Sequence, residues 1–197
     1  MAPPSDPAAI LQRYLDVAHD AMRWKLEGLD EYDIRRPLTT TGTSLLGIIK
    51  HVAWVELEYF GDVFQRPHGI AMPANADEVN ADMYAQVDES VDDILDLFAR
   101  AQAHATEALA ELPLTTEGHV PWWGANNPVT LHLITIHMVT ELHRHLGQLD
   151  ILREGLDGAA GHRDGEDNLP DVDAAFWPMH VAELDAIARK ATGTPSP

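Results

Sequence analysis

The chain has 197 residues, of which 45% are hydrophobic, enough for one domain, or one domain with an appendage, whose core needs no disulfide or metal to fold. Its 13 Lys and Arg residues against 32 Asp and Glu residues give a net charge of −19, which argues against nucleic acid as a partner because cations bind the phosphate backbone. The chain has no cysteine, so disulfides, thiolate zinc sites and a cysteine nucleophile are excluded.

The hydropathy of the sequence indicates in which cellular compartment the protein is located. Charged residues interrupt every apolar run before it reaches the roughly 20 residues that a bilayer span requires, so no membrane partner is expected. Residues 1–7 lack the basic and apolar regions of a secretory signal. These features predict a cytoplasmic protein.

The pattern of residues in the N-terminal half of the chain predicts two long helices. Helical periodicity dominates and long alternating β-branched runs are absent, which indicates an all-α fold. The first helix is predicted over residues 7–29, with Ser5 or Asp6 as a suitable cap. Residues 30–42 contain Pro37 and a threonine-rich run, so a loop is predicted there. The second helix is predicted over residues 44–65.

The pattern of residues in the C-terminal half predicts two more long helices and a shorter one. Residues 68–86 are polar and irregular in pattern, so they are predicted to form a connection. A third helix is predicted over residues 90–112 and a fourth over residues 127–156, each with an apolar stripe. After a Gly- and Asp-rich stretch at residues 158–171, residues 172–191 form a shorter amphipathic segment.

Four helices of roughly 20 to 28 residues match the length class of a four-helix bundle. Residues 1–158 are assigned to this bundle, whose inter-helix connections are long. Residues 159–197 are assigned to a flexible acidic linker and a short C-terminal helical segment that packs on the bundle.

The fourth predicted helix carries two ionisable residues in its apolar row. Glu141 and His145 continue the core-facing series of Ile134 and Met138. A buried carboxylate without a partner is costly, so this position requires a partner. Residues at i and i+4 lie one turn apart on one helix face, which is the geometry by which one helix supplies two ligands to one metal ion.

His51 is the candidate third ligand, on the second predicted helix. Two histidines and one carboxylate suit zinc, and also nickel, iron or manganese. Three protein ligands leave one position open for water or substrate, as in catalytic sites. Two alternatives remain open from the residues alone: Glu141 and His145 are a hydrogen-bonded pair on a solvated face, and His51 is a hydrogen-bonded core histidine.

The remaining histidines are predicted to be surface residues, except His137, which is predicted either to contact a metal ligand or to compete as a ligand itself. The others are His19, His68, His104, His119, His132, His143, His162 and His180. Trp122 and Trp123 either line the mouth of a pocket or cover one end of the bundle.

Two stretches resemble signatures of a known superfamily. Residues 43–52, Thr-Ser-Leu-Leu-Gly-Ile-Ile-Lys-His-Val, resemble the second-helix signature of the DinB/YfiT-like superfamily, in the branch common in actinobacteria. Residues 141–154, Glu-Leu-His-Arg-His-Leu-Gly-Gln-Leu-Asp-Ile-Leu-Arg-Glu, resemble its fourth-helix signature. Residues 28–29 and 35–38 also fit that branch, and the resemblance extends to Gly158.

The resemblance implies a DinB-like four-helix bundle with a metal triad of His51, Glu141 and His145. Many relatives have three histidines, and the glutamate resembles the subgroup of mycothiol-dependent maleylpyruvate isomerase. Branch members often carry a second histidine three places after the last ligand, where this chain has Gln148. That departure leaves the role of Gln148 open.

The resemblance also implies an activity, that of mycothiol-dependent S-transferases and isomerases. One divalent metal ion would lower the pKa of a mycothiol-like, low-molecular-weight thiol cosubstrate, and the thiolate would attack an electrophilic small molecule. Two alternatives are a metal-dependent hydrolase that uses a metal-bound water and a non-catalytic metal-binding stress-response protein. A homodimer is compatible with a bundle but rests on no particular residue.

Overall fold

The structure of the protein is a computed structural model that describes residues 5–73, 75–124, 127–173 and 175–194. Residues 1–4, on which part of the cytoplasmic prediction rests, lie outside the described residues. The chain divides into two compact units, Met1–Asp167 and Asn168–Pro197. In the described part of the chain, no helix is both long enough and apolar enough to span a membrane.

The first unit is a four-helix bundle, which confirms the predicted all-α fold. Its long helices are α1 (Pro7–Trp24), α3 (Leu45–Phe60), α4 (Val91–Glu111) and α5 (Leu131–Asp157), with a short α2 (Glu31–Arg35) after α1. Helix α3 packs against α4 and α5, and α1 packs against the same two helices. The core is therefore shared by all four long helices, and α3 and α5, which carry the candidate ligands, are neighbours.

Side-chain caps fix where the long helices begin. Asp6 accepts a hydrogen bond from the Ala9 amide, and Ser44 accepts one from the Gly47 amide. Ser90 and Asp93 form a reciprocal capping box at the start of α4. Such caps satisfy amide groups that have no partner within the helix. The Ser44 cap thereby fixes the beginning of α3 at residue 45.

Three predicted boundaries are wrong. Helix α1 ends at Trp24, and α2 occupies part of the predicted loop at residues 30–42. Helix α3 ends at Phe60, where Gly61 starts a 3-10 turn. Helix α5 begins at Leu131, because β2 (Pro128–Thr130) pairs antiparallel with β1 (Glu117–His119).

Buried cations tie α5 to the end of α1. Arg153 donates to the backbone oxygens of Lys25 and Glu27 at 2.9 and 2.8 Å. Both oxygens lie in the turn that follows α1, outside its helical hydrogen bonds, so the guanidinium satisfies groups that would otherwise need water. The Nζ of Lys25, which is fully buried, lies 2.8 Å from Asp150 and 2.7 Å from the Gly161 oxygen. These contacts fix α5 along its axis.

The second unit contains α6 (Phe176–Thr192), which lies within the predicted C-terminal segment. The rings of Phe176 and His180 stack one turn apart, with centroids separated by 5.1 Å. Gly193 ends the helix in the left-handed conformation that favours glycine. The packing of this segment on the bundle stays a prediction.

Candidate metal centre

The structure brings together the three side chains that the sequence singled out. Helix α3 supplies His51, and α5 supplies Glu141 and His145 from one face. One potential ligand atom from each residue lies within 4.8 Å of the other two. The two imidazole rings meet edge to face, with centroids 4.8 Å apart. His145 is buried and the other two are half-buried, so the cluster lies at the edge of the core.

Each imidazole is oriented by a hydrogen bond at its Nδ1 atom. The Nδ1 of His51 lies 2.6 Å from a carboxylate oxygen of Asp82, and the Nδ1 of His145 lies 2.8 Å from Oε1 of Gln148. Carboxylate and amide oxygens only accept, so each Nδ1 carries a hydrogen and donates it. In the neutral rings, both Nε2 atoms are then free to bind a metal ion, as in many metal sites.

The contact between His145 and Glu141 tests whether a metal fits this cluster. The Nε2 of His145 lies 3.0 Å from Oε1 of Glu141. Because Nδ1 of a neutral His145 carries the hydrogen, Nε2 and the carboxylate would present lone pairs to each other. That contact requires a positive charge, either a second proton on the imidazole or a cation bound by both atoms. Two imidazoles and one carboxylate form a donor set that suits a divalent metal.

The segment that carries Asp82 is docked on α3 by two residues of the same helix. A Cβ atom at Gly47 would lie 1.9 Å from the backbone oxygen of Met83, so only glycine allows this approach. The buried Lys50 donates to the backbone oxygen of Tyr84 at 3.0 Å and pairs with Glu89 at 2.7 Å. Gly47, Lys50 and His51 stand at i, i+3 and i+4 and face this one segment.

Sequence reasoning missed Asp82 and Glu89. Both lie in or just after the stretch that was predicted as an irregular connection, and Asp82 is 31 residues from the histidine that it contacts. The sequence of α3 nevertheless contained an indication of this contact. Gly47 and Lys50 interrupt an otherwise apolar helix face, and a buried lysine requires an acceptor from somewhere else in the chain.

Further carboxylates make the surroundings of His51 acidic. Burial raises the pKa of Glu58, and the nearby Asp62 and Asp82 raise it further, while His51 lowers it. Glu58 and Asp82 line a small cavity of about 140 Å³ beside Trp54. Negative charge concentrated on this side of α3 favours a bound cation.

A larger cleft opens next to His51. Its volume is about 710 Å³, and Arg35, Thr43, His51, Asp82 and Tyr84 are among its lining residues. Arg35 is held at the rim, because its guanidinium binds the backbone oxygens of Gln86 and Glu89. The cleft is large enough for a small-molecule ligand and gives it access to one candidate metal ligand.

Two other predictions about histidines have different outcomes. His19 is completely buried and its Nε2 lies 3.0 Å from both carboxylate oxygens of Glu56, so its prediction as a surface residue is wrong. His137 is not part of the triad in the described residues. Its ring packs against Tyr59 and Trp123, with centroid distances of 4.9 and 5.0 Å.

The tryptophan pair is tied to the same tyrosine. The indole groups of Trp122 and Trp123 both donate to the Tyr59 hydroxyl, at 3.2 and 2.9 Å. Trp122 is about half exposed. The pair therefore covers α3 close to the beginning of α5.

Comparison with known families places the bundle in a described family. A family model described as Mycothiol-S-transferase matches residues 10–158. The matched region contains α3, α4 and α5 in full, α1 from residue 10 onwards, and the three candidate ligands. No curated protein matches the chain.

Proposed function

The chain belongs to the mycothiol-S-transferase family, and from that premise we propose that it transfers a mycothiol-like thiol to an electrophilic small molecule, with a divalent metal ion held by His51, Glu141 and His145. The observation that carries the proposal is the convergence of three donor atoms within 4.8 Å, with both Nδ1 atoms of the histidines already engaged by acceptors. We propose zinc as the ion, since two imidazoles and one carboxylate are a common catalytic zinc set.

The chemistry divides between the ion and the protein. When bound, a divalent ion supplies a Lewis acid that lowers the pKa of a thiol. Asp82 and Gln148 hold the two imidazoles in the tautomer that leaves Nε2 free. The cleft beside His51 holds the reactants. Because the chain has no cysteine, the attacking sulfur belongs to the cosubstrate.

The transfer reaction is balanced without a further reactant. The thiol loses its proton to solvent, a carbon–sulfur bond forms at the electrophilic carbon, and the leaving group departs with its electron pair. Reversible addition of the same thiolate to an unsaturated substrate would instead permit isomerisation. A reduced low-molecular-weight thiol is typical of the cell interior, so we propose a cytoplasmic location.

The experiment that tests this proposal measures metal content and turnover together. Wild-type protein and Glu141→Ala are purified without chelators, and metal is measured by mass spectrometry. His137→Ala is the matched control, because His137 lies one turn before Glu141 and outside the triad. We expect about one ion per chain in the wild type and the control, and almost none in Glu141→Ala.

Turnover is then measured with mycothiol and 1-chloro-2,4-dinitrobenzene. We expect metal-dependent release of chloride in the wild type and the control, and none above background in Glu141→Ala. Wild-type protein without metal would overturn the ligand assignment. Metal-dependent ester hydrolysis that needs no thiol would overturn the transferase proposal in favour of a hydrolase.

A further inference from the structure

Arg144 is a cation without a partner. The chain has 13 Lys and Arg residues, and 10 of them pair with a carboxylate within 4.0 Å. The side chains of Arg13, Arg144 and Lys190 make no ion pair or hydrogen bond with any residue that the structure describes. In a chain with 32 acidic residues, an unpaired arginine is the exception.

Of these three cations, Arg144 is the one that lines a cleft next to the candidate metal centre. The cleft has a volume of about 380 Å³, and its lining residues include Thr39, Thr43, Arg144, Gly147, Gln148 and Ile151. Arg144 directly precedes His145 on α5, and Gln148 accepts the Nδ1 hydrogen of that histidine. The cleft therefore lies against the residues that hold one candidate ligand in place.

This second cleft adjoins the cleft beside His51. Thr43 lines both of them. A small molecule that occupies the second cleft therefore extends towards the space beside His51 by way of Thr43.

The groups in the second cleft suit a carboxylate. A guanidinium offers paired N–H donors that match the two oxygens of a carboxylate. The hydroxyl of Thr43 makes no hydrogen bond within the described ranges and is a further donor. The net charge of −19 repels an anion from the protein as a whole, so an anionic substrate needs a local, unpaired cation such as Arg144.

We propose that the Arg144 cleft binds a carboxylate of the electrophilic cosubstrate, so that the electrophile of this enzyme is an organic anion. The proposal rests on the proposed function for the identity of the ligand as cosubstrate. The binding site itself stands on the unpaired guanidinium, the Thr43 hydroxyl and the shared boundary of the two clefts.

The first test is binding in the absence of thiol. The probes are 4-chloro-3-nitrobenzoate and its uncharged amide, 4-chloro-3-nitrobenzamide, titrated into wild-type protein and followed by NMR. We expect Arg144→Gln to weaken binding of the benzoate about five- to tenfold, because a charge-assisted hydrogen bond from an exposed arginine is lost. Binding of the benzamide should change less than about twofold.

Arg13→Gln is the matched control, since Arg13 is also unpaired but lies on α1 and outside the lining of either cleft. It should bind both probes as the wild type does. Equal benzoate affinities in the wild type and Arg144→Gln, or no measurable benzoate binding to the wild type, would overturn the anion site.

A steric test uses two glycines on the same helix. A Cβ atom at Gly147 or at Gly155 meets nothing within 4 Å, and only Gly147 lines the cleft. Either glycine can be replaced by leucine with a gain in helix propensity. Gly147→Leu should place its side chain in the cleft and weaken benzoate binding, whereas Gly155→Leu should leave it unchanged. Benzoate affinity in Gly147→Leu equal to that of the wild type would contradict the assignment.

Turnover separates this inference from the proposed function. With mycothiol, the thiolate forms a carbon–sulfur bond at the ring, the carbon–chlorine bond breaks, chloride leaves with its electron pair, and the thiol proton goes to solvent. Arg144→Gln should raise KM for the benzoate about five- to tenfold with little change in kcat. Arg144-dependent benzoate binding without turnover would retain the anion site and overturn the transferase proposal with this thiol.

Discussion

The bundle contains two histidine–glutamate contacts of the same length that differ in almost everything else. His19 and Glu56 join α1 to α3 at 3.0 Å, and both side chains are completely inaccessible to solvent. His145 and Glu141 lie on α5, also at 3.0 Å, with 9% and 27% of their side chains exposed. The first contact is therefore buried in the core, and the second is partly exposed to solvent.

The difference shows what distinguishes a candidate reactive site from a structural pair. Both oxygens of Glu56 contact the Nε2 of His19, and the buried Nδ1 of that histidine has no hydrogen-bond partner among the described residues. Glu141 places one oxygen on His145, and His51 adds a third donor within 4.8 Å. A histidine and a carboxylate at hydrogen-bond distance are therefore insufficient; a third ligand and a cleft beside it make the arrangement suitable for chemistry.

The largest expected effect comes from removing one member of the buried pair of His19 and Glu56. His19→Leu leaves the Glu56 carboxylate buried without its partner, and loss of one member of a buried pair typically costs about 3–5 kcal/mol. We expect that loss in the free energy of unfolding, measured by urea denaturation. Metal content should stay at the wild-type level, since His19 is not in the triad.

The double variant His19→Leu/Glu56→Met is the control for this effect. Because both polar groups are removed together, most of the lost stability should return. If His19→Leu alone unfolds at the wild-type urea concentration, the pair has no structural role.

A smaller effect is expected when the side chains that orient the two imidazoles of the candidate metal centre are replaced. Asp82→Asn should weaken zinc affinity about 10- to 100-fold, as loss of an outer carboxylate does in other metal sites. Gln148→Met should weaken it less, because a neutral acceptor forms a weaker bond to the imidazole than a carboxylate does. Competition with a chromophoric chelator measures both values.

Asp88→Asn is the control for Asp82→Asn, since Asp88 is an exposed carboxylate in the same connection. Stability towards urea should be similar in all three variants. A ranking in which Gln148→Met costs more zinc affinity than Asp82→Asn would contradict the proposed roles of these two acceptors.

The smallest effect concerns Glu58, a carboxylate outside the triad. Burial and two acidic neighbours raise the pKa of Glu58 above its ordinary value of 4.5. A raised pKa means that the folded state binds the proton more tightly, so this contribution to stability is complete below pH 4.5 and is lost as the pH rises through the pKa of the folded state.

Glu58→Gln should therefore be more stable than the wild type at pH 7, by less than about 1 kcal/mol because the group is only half-buried. The difference should disappear at pH 4. Glu107→Gln, an exposed residue of α4, should show no such dependence on pH. Thermal unfolding across this range measures the difference, and a gain that grows as the pH falls would reverse the sign of the argument.

The sequence predicts the fold better than it predicts the boundaries. Periodicity of 3.6 residues over long stretches identifies α1, α3, α4 and α5, because burial of one face dominates their stability. The beginning of α5 was misplaced because residues 128–130 pair with residues 117–119. That pairing depends on a partner strand, which periodicity within one segment cannot reveal.

For the site, helix spacing proposed the three side chains that the structure brings together, and the resemblance implied the same triad. Asp82 could not be predicted, because its segment has no periodic pattern and its position depends on contacts with Gly47 and Lys50. His19 was misassigned although a signal existed. It stands between Leu15 and Met22 on the buried face of α1, so its spacing indicated a core position.

The contact of Arg153 with the end of α1 prevents α5 from shifting along its own axis. Arg153 follows Glu141 by 12 residues on one uninterrupted helix, a distance of about 18 Å. A slip of α5 by a single residue would move Glu141 by about 1.5 Å, far beyond the roughly 0.2 Å tolerance of metal–ligand distances. The accuracy of the candidate centre is thus determined at a remote point of the bundle, where a salt-bridged guanidinium sets the longitudinal position of the ligands.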